Sequence, residues 1–179
     1  AIFAPVIARA RRGARIIDSV ARMRQLFTAM TIYQTEHDGA PYYSSPSAFY
    51  VLGLPTDDYY LQTQFGLSNS VWTSPCGNDE TIHSTAPTRV PGWIVYAPPF
   101  YEPSVLTPTT NEPYWDYLPT YRENAVAFLD PFCNEPGTVM TAPLTSKRVL
   151  AILLSGQVIN KMKAGNAGKL HFYSDLPAN

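Results

Sequence analysis

Residues 1–41 constrain this chain more than any other stretch. Ile16, Val20, Met23, Phe27 and Met30 recur at spacings of three and four, and Ile17, Leu26 and Tyr33 widen the stripe. That is the pattern of an α-helix that buries one side. Ala8, Ala10, Ala14, Ala21 and Ala29 favour the helix and let a second helix come close. Pro5 belongs in a first turn or at a kink, and Gly13 is expected to be a weak point. The stop is written as Gly39 in the left-handed cap position, followed by Pro41. The opening AIFAPVIA reads as the stub of an apolar helix, far short of the roughly 20 residues that span a bilayer.

The formal net charge of −1 conceals an uneven distribution. Arg9, Arg11, Arg12, Arg15, Arg22 and Arg24 face only Asp18 within residues 1–35, whereas the remainder carries 7 basic and 13 acidic groups. A basic rod joined to an acidic head is a dipolar object. Three readings follow: head-to-rod contacts between copies, a solubilising cationic face, or attraction to anionic lipid headgroups. Charged residues make up only 15% of the chain and prolines number 17, a balance that suits a secreted or surface protein with stiff loops. The two cysteines, Cys76 and Cys133, either form one disulfide in an oxidising compartment or remain two buried thiols. There is no C-x-x-C, and the three histidines are scattered, so no metal site or cofactor is expected.

Beyond the helix, Pro46–Leu52 and Asp57–Phe65 are predicted as short helices capped by Ser45 and Thr56. Trp93–Ala97 reads as a strand. Six prolines and five aromatics between Pro98 and Pro119 predict an ordered, non-regular excursion. Asn124–Leu129 is a further strand. Arg148–Leu154 and Gln157–Met162 are predicted to form a hairpin about the two residues Ser155-Gly156. The last residues read as a surface tail, with Leu170, Phe172 and Tyr173 able to add an edge strand. The domain organisation is thus a helix over 1–40 and an α+β head over 41–179.

Catalysis is not expected. Asp57-Asp58 has a capping role available, Asp79-Glu80 are sequence neighbours that point apart, and His37, His83 and His171 have no triad-like companions. Phosphate loops, zinc-protease helices and nucleophile elbows are all missing from the sequence. Tyr101, Tyr114, Trp115 and Tyr117 could form an aromatic binding surface for sugars, or could wedge the proline-rich loop onto the head. A pI near 6.3 argues against nucleic acid as a partner.

Taken together, Pro5, Ala8, Arg9, Arg12, Leu26, Ala29, Tyr33 and Pro41 resemble the helix signature of the type IV pilin and type II secretion pseudopilin superfamily. Val71–Cys76 resembles that group's short strand before a Cys-Pro turn, with the two residues reversed, and Val149–Val158 resembles its terminal hairpin. Where that hairpin carries a His and an Asp, this chain has Thr145 and Ser155. The resemblance implies a pilin-like α+β fold, with a long N-terminal helix packed on an antiparallel sheet. It also implies a bacterial precursor whose first residues, including an acidic docking residue, precede Ala1. The expected function is that of a structural subunit of an extracellular or cell-surface filament. Its partners would be copies of itself, other pilin-like subunits, and the inner membrane before assembly. Ile7, Arg9, Arg12, Ile17, Val20, Leu26, Phe27 and Met30 would serve assembly and head packing, and the arginines Arg9, Arg11, Arg12, Arg15 and Arg22 would meet acidic loops of neighbours. A minor pseudopilin of a secretion or DNA-uptake machine, and an adhesive pilin-like protein, are the alternatives.

Overall fold

A computed structural model describes residues 3–36, 66–76, 95–96, 120–130, 132–134, 138, 142–167, 170–173 and 176. Helix α1 spans Phe3–Glu36, 34 residues, which is about 51 Å of rod. Pro5 sits in its first turn, where a missing backbone donor costs nothing. Gly13 lies within the continuous helix, and a Cβ added there would meet nothing within 4 Å.

Among the described residues four strands follow: β1 Val95–Tyr96, β2 Val126–Leu129, β3 Ser146–Leu153 and β4 Val158–Ala164. They form an antiparallel sheet in the order β1-β2-β3-β4. The chain is therefore α+β, a long N-terminal helix laid against an antiparallel sheet. β3 is the central long strand, pairing from Ser146↔Ala164 to Ile152↔Val158 on one side and from Leu129↔Ala151 to Val126↔Leu153 on the other. A bulge between Val126 and Phe128 shifts the second register by one. Val149–Leu153 are all buried, so both faces of this stretch are covered, which is why it is apolar without alternation.

The helix meets the sheet along Ser19, Met23, Leu26, Met30 and Tyr33, all buried, at alternating spacings of four and three. Ile16, Val20 and Phe27 flank this seam, half-buried. The seam is rotated from the one expected from apolar residues alone, because its first contact is a serine.

Several local expectations need correction. The hairpin loop is three residues, Leu154–Gly156, and not two: Gly156 N–H donates to Leu153 O at 2.9 Å, and Leu153 N–H to Gln157 O at 2.9 Å. Gly156 holds φ 81°, the left-handed residue that such a loop requires. The strand expected from Asn124 begins only at Val126, since Arg122–Asn124 is a 3-10 turn in which Ala125 N–H donates back to Arg122 O. Of the short strand expected in Val71–Cys76, Val71 and Trp72 belong instead to a helical turn, Asn69–Trp72, closed by Val71 N–H to Ser68 O, and only Thr73 is extended, as a single bridge residue. The described residues of the C-terminal segment form neither a surface tail nor an edge strand. Leu170–Tyr173 is a 3-10 turn, and Phe172, Tyr173 and Leu176 are buried in the main core.

The short helices predicted over 46–52 and 57–65, the Gly39-Pro41 stop and the excursion from Pro98 to Pro119 lie outside the described residues.

Candidate functional site: the helix–head junction and the free helix end

Asp130 closes β2 and stands at the junction. Its backbone N–H continues the ladder to Leu150 O at 2.9 Å, which fixes the position of its side chain. The carboxylate is fully buried. One oxygen, Oδ2, accepts the Ser19 hydroxyl from α1 and the Ser74 hydroxyl at 2.7 Å; the other, Oδ1, accepts Phe132 N–H at 2.9 Å. Ser74 Oγ in turn accepts Cys76 N–H at 3.1 Å. Burial pushes the Asp130 pKa up; the two serine hydroxyls, Phe132 N–H and the Arg22 charge pull it back without cancelling that rise.

Cys76 and Cys133 form a disulfide, with Cα atoms 5.0 Å apart. It joins the turn after residues 69–72 to the loop after β2, and Cys133 Sγ lies 3.5 Å from Asp130 Oδ2. Arg22 closes the same junction from the helix. Its guanidinium donates to Ser70 O at 2.6 Å and Thr73 O at 2.8 Å, and pairs with Asp18 at 2.8 Å. Arg22, expected to reach a neighbouring head, instead gives Nη1 to two carbonyls of its own head and Nε and Nη2 to Asp18 on the helix. Helix, disulfide loop and sheet thus meet at one buried carboxylate.

A second buried charge secures the far end of the sheet. Lys147 is fully buried, and its ammonium donates to Ala142 O at 2.6 Å, Thr145 O at 2.9 Å and Gly165 O. Burial lowers its pKa. Lys161 donates to Leu176 O at 2.8 Å and Lys163 to Phe172 O, with the Lys163 ammonium 5.0 Å above the Phe172 ring. Two lysines of β4 therefore hold carbonyls of the C-terminal cover, while Lys147 of β3 ties the segment that leads into β3 to the end of β4. None of these roles was visible in the spacing of the lysines.

At its N-terminal end α1 is otherwise built. Residues 5–11 are all exposed. Val6 is 60% exposed, Ile7 49% and Ile17 71%, high values for such side chains. Arg9, Arg11 and Arg15 are exposed beside them, and Arg12 is half-buried. Of the residues expected to serve assembly or packing, Leu26 and Met30 face the sheet, Val20 and Phe27 flank the contact, and Ile7, Arg9 and Ile17 face outward. Nearer the C-terminal end, Arg24, Gln25, Thr28, Ala29, Ile32 and Leu67 line an open groove of about 340 Å³. That lining offers no carboxylate, imidazole or thiol. Tyr101, Tyr114, Trp115 and Tyr117 lie outside the described residues.

No described helix is long and apolar enough to cross a membrane. Comparison with protein-family models, curated proteins and solved structures finds no match to this chain. What the fold and site define is a class: a disulfide-clipped α+β head carrying a long N-terminal helix, docked along its C-terminal half and exposed along its first turns.

Proposed function

We propose that this chain is a pilin-like structural subunit of an extracellular or cell-surface filament that self-assembles through its N-terminal helix. The observation that carries the reading is the division of α1 along its length. The half from Ser19 onward has its apolar seam covered, while Val6, Ile7 and Ile17 remain in water among arginines. Burying half-exposed aliphatic side chains against a neighbour supplies about 1 kcal/mol each, and many copies in a helical array multiply that gain. Charge adds direction: the arginine-rich end is complementary to the acidic remainder of another copy. The disulfide and the Asp130 junction fit the same role, since a subunit under load needs its helix fixed to its head.

Negative-stain microscopy of concentrated protein at low ionic strength tests the reading. Regular fibres support a main filament subunit, and short capped oligomers support a minor pseudopilin. Dispersed single particles at every concentration and salt level overturn both.

A further inference from the structure

We propose that, when its disulfide is reduced, the chain holds a zinc-class divalent cation between Cys76, Cys133 and Asp130. The three donor atoms already lie within 4.8 Å of one another. Tetrahedral zinc with bonds of about 2.3 Å to sulfur and about 2.1 Å to oxygen sets a sulfur–oxygen edge of about 3.5 Å and a sulfur–sulfur edge of about 3.8 Å. The distance from Cys133 Sγ to Asp130 Oδ2 is 3.5 Å. With Cα atoms 5.0 Å apart and the bond broken, rotation of Cys76 about its Cα–Cβ bond separates the sulfurs while Cys133 keeps its place beside Asp130.

The surroundings suit the ion. Two thiolates and a carboxylate carry three negative charges against the cation's two; Arg22, paired with Asp18, adds only a weak further positive field. Phe132 N–H on Oδ1 and the Ser19 hydroxyl on Oδ2 orient the carboxylate, as outer partners do in built metal sites. The metal takes the lone pair of Oδ2 that the Ser74 hydroxyl now uses, so Ser74 competes with it. A water fills the fourth position from the side of Cys76, which is half-buried. In the oxidised chain the sulfurs carry no charge and have no ligand capacity, so the two states exclude each other.

The chemistry balances with a trialkylphosphine as reductant. The phosphine becomes its oxide with oxygen from water, the S–S bond breaks, and each sulfur gains one electron and one proton. Cation binding then releases both thiol protons.

The test uses the full chain, reduced by a phosphine that does not compete for metal, and Co²⁺ as the probe. One equivalent should give thiolate charge-transfer bands and tetrahedral visible bands, whether the reduced chain is folded beforehand or folds on the metal. Zn²⁺ should bleach those bands, and the oxidised chain should show none. Asp130→Asn should weaken binding by roughly tenfold or more. Ser74→Ala, which keeps all three ligands and removes the competing hydroxyl, should tighten it. The proposal is overturned if the reduced chain takes up no Co²⁺. It is equally overturned if the affinity is the same in wild type and Ser74→Ala, which would mean thiols bind without Asp130.

Discussion

Ser19→Ala is the most informative single change at the junction. It removes a buried hydroxyl that donates to Asp130 Oδ2 and leaves that oxygen one donor, Ser74 at 2.7 Å, while Oδ1 keeps Phe132 N–H. Losing a hydrogen bond to a buried charged group costs about 1.5–3 kcal/mol. Alanine returns about 0.5 kcal/mol through its better helix propensity. The net expectation is a loss of about 1–2.5 kcal/mol in urea unfolding of the oxidised protein at neutral pH. Asp130→Ala strips the acceptor from Ser19, Ser74 and Phe132 together and should cost about 3–5 kcal/mol. In the double variant the Ser19 change should be nearly free, because its partner is gone. The pH dependence has a fixed sign. Burial raises the folded-state pKa of Asp130, so its contribution is complete in acid and declines as pH rises above the ordinary carboxylate range through the folded value. Asp130→Asn should flatten that decline. A Ser19→Ala protein as stable as wild type, with unchanged pH dependence, would refute the idea that this carboxylate holds helix to head.

Other consequences follow from the same geometry. Opening the Cys76–Cys133 bridge, which closes a loop of 57 residues, should cost about 4 kcal/mol on the chain-entropy estimate, read as a lower urea midpoint for Cys76→Ser/Cys133→Ser. Gly165 sits at φ 144°, and a Cβ there would come 2.6 Å from the Phe172 ring, so Gly165→Ala should destabilise by about 2–3 kcal/mol and expose the C-terminal cover to protease. Gly156→Ala meets only the edge of Phe27 at 3.3 Å but keeps a left-handed backbone; a loss of about 1 kcal/mol is expected by thermal melting.

Much of the scaffold was legible because its signals are local. The three-and-four spacing in α1, Pro5 in the first turn and the apolar run of β3 followed by a turn and β4 each reflect neighbours a few residues apart. The site was less legible because its contacts are long-range. Ser19 and Asp130 are 111 residues apart, and a serine on an apolar stripe reads as a gap in the pattern. Asp130 before Pro131 reads as a strand stop, and only the fold reveals it as an acceptor. Arg22 reads as one more member of a cationic row, and only the fold brings the carbonyls of Ser70 and Thr73 to it. Lys147 lies just before the strand predicted from Arg148, and carbonyls from residues 142, 145 and 165 converge on it. Composition gives no hint of such convergence.

The central claim is that the free end of α1 seeks another copy. Sedimentation velocity across a wide concentration range, comparing wild type with Ile7→Glu/Ile17→Glu, tests it most directly. Both substituted positions are exposed, so the head should stay folded, as circular dichroism would verify. The account predicts association of wild type that grows with concentration and a variant that stays monomeric. A wild-type chain that sediments as a monomer throughout, indistinguishable from the variant, would contradict it.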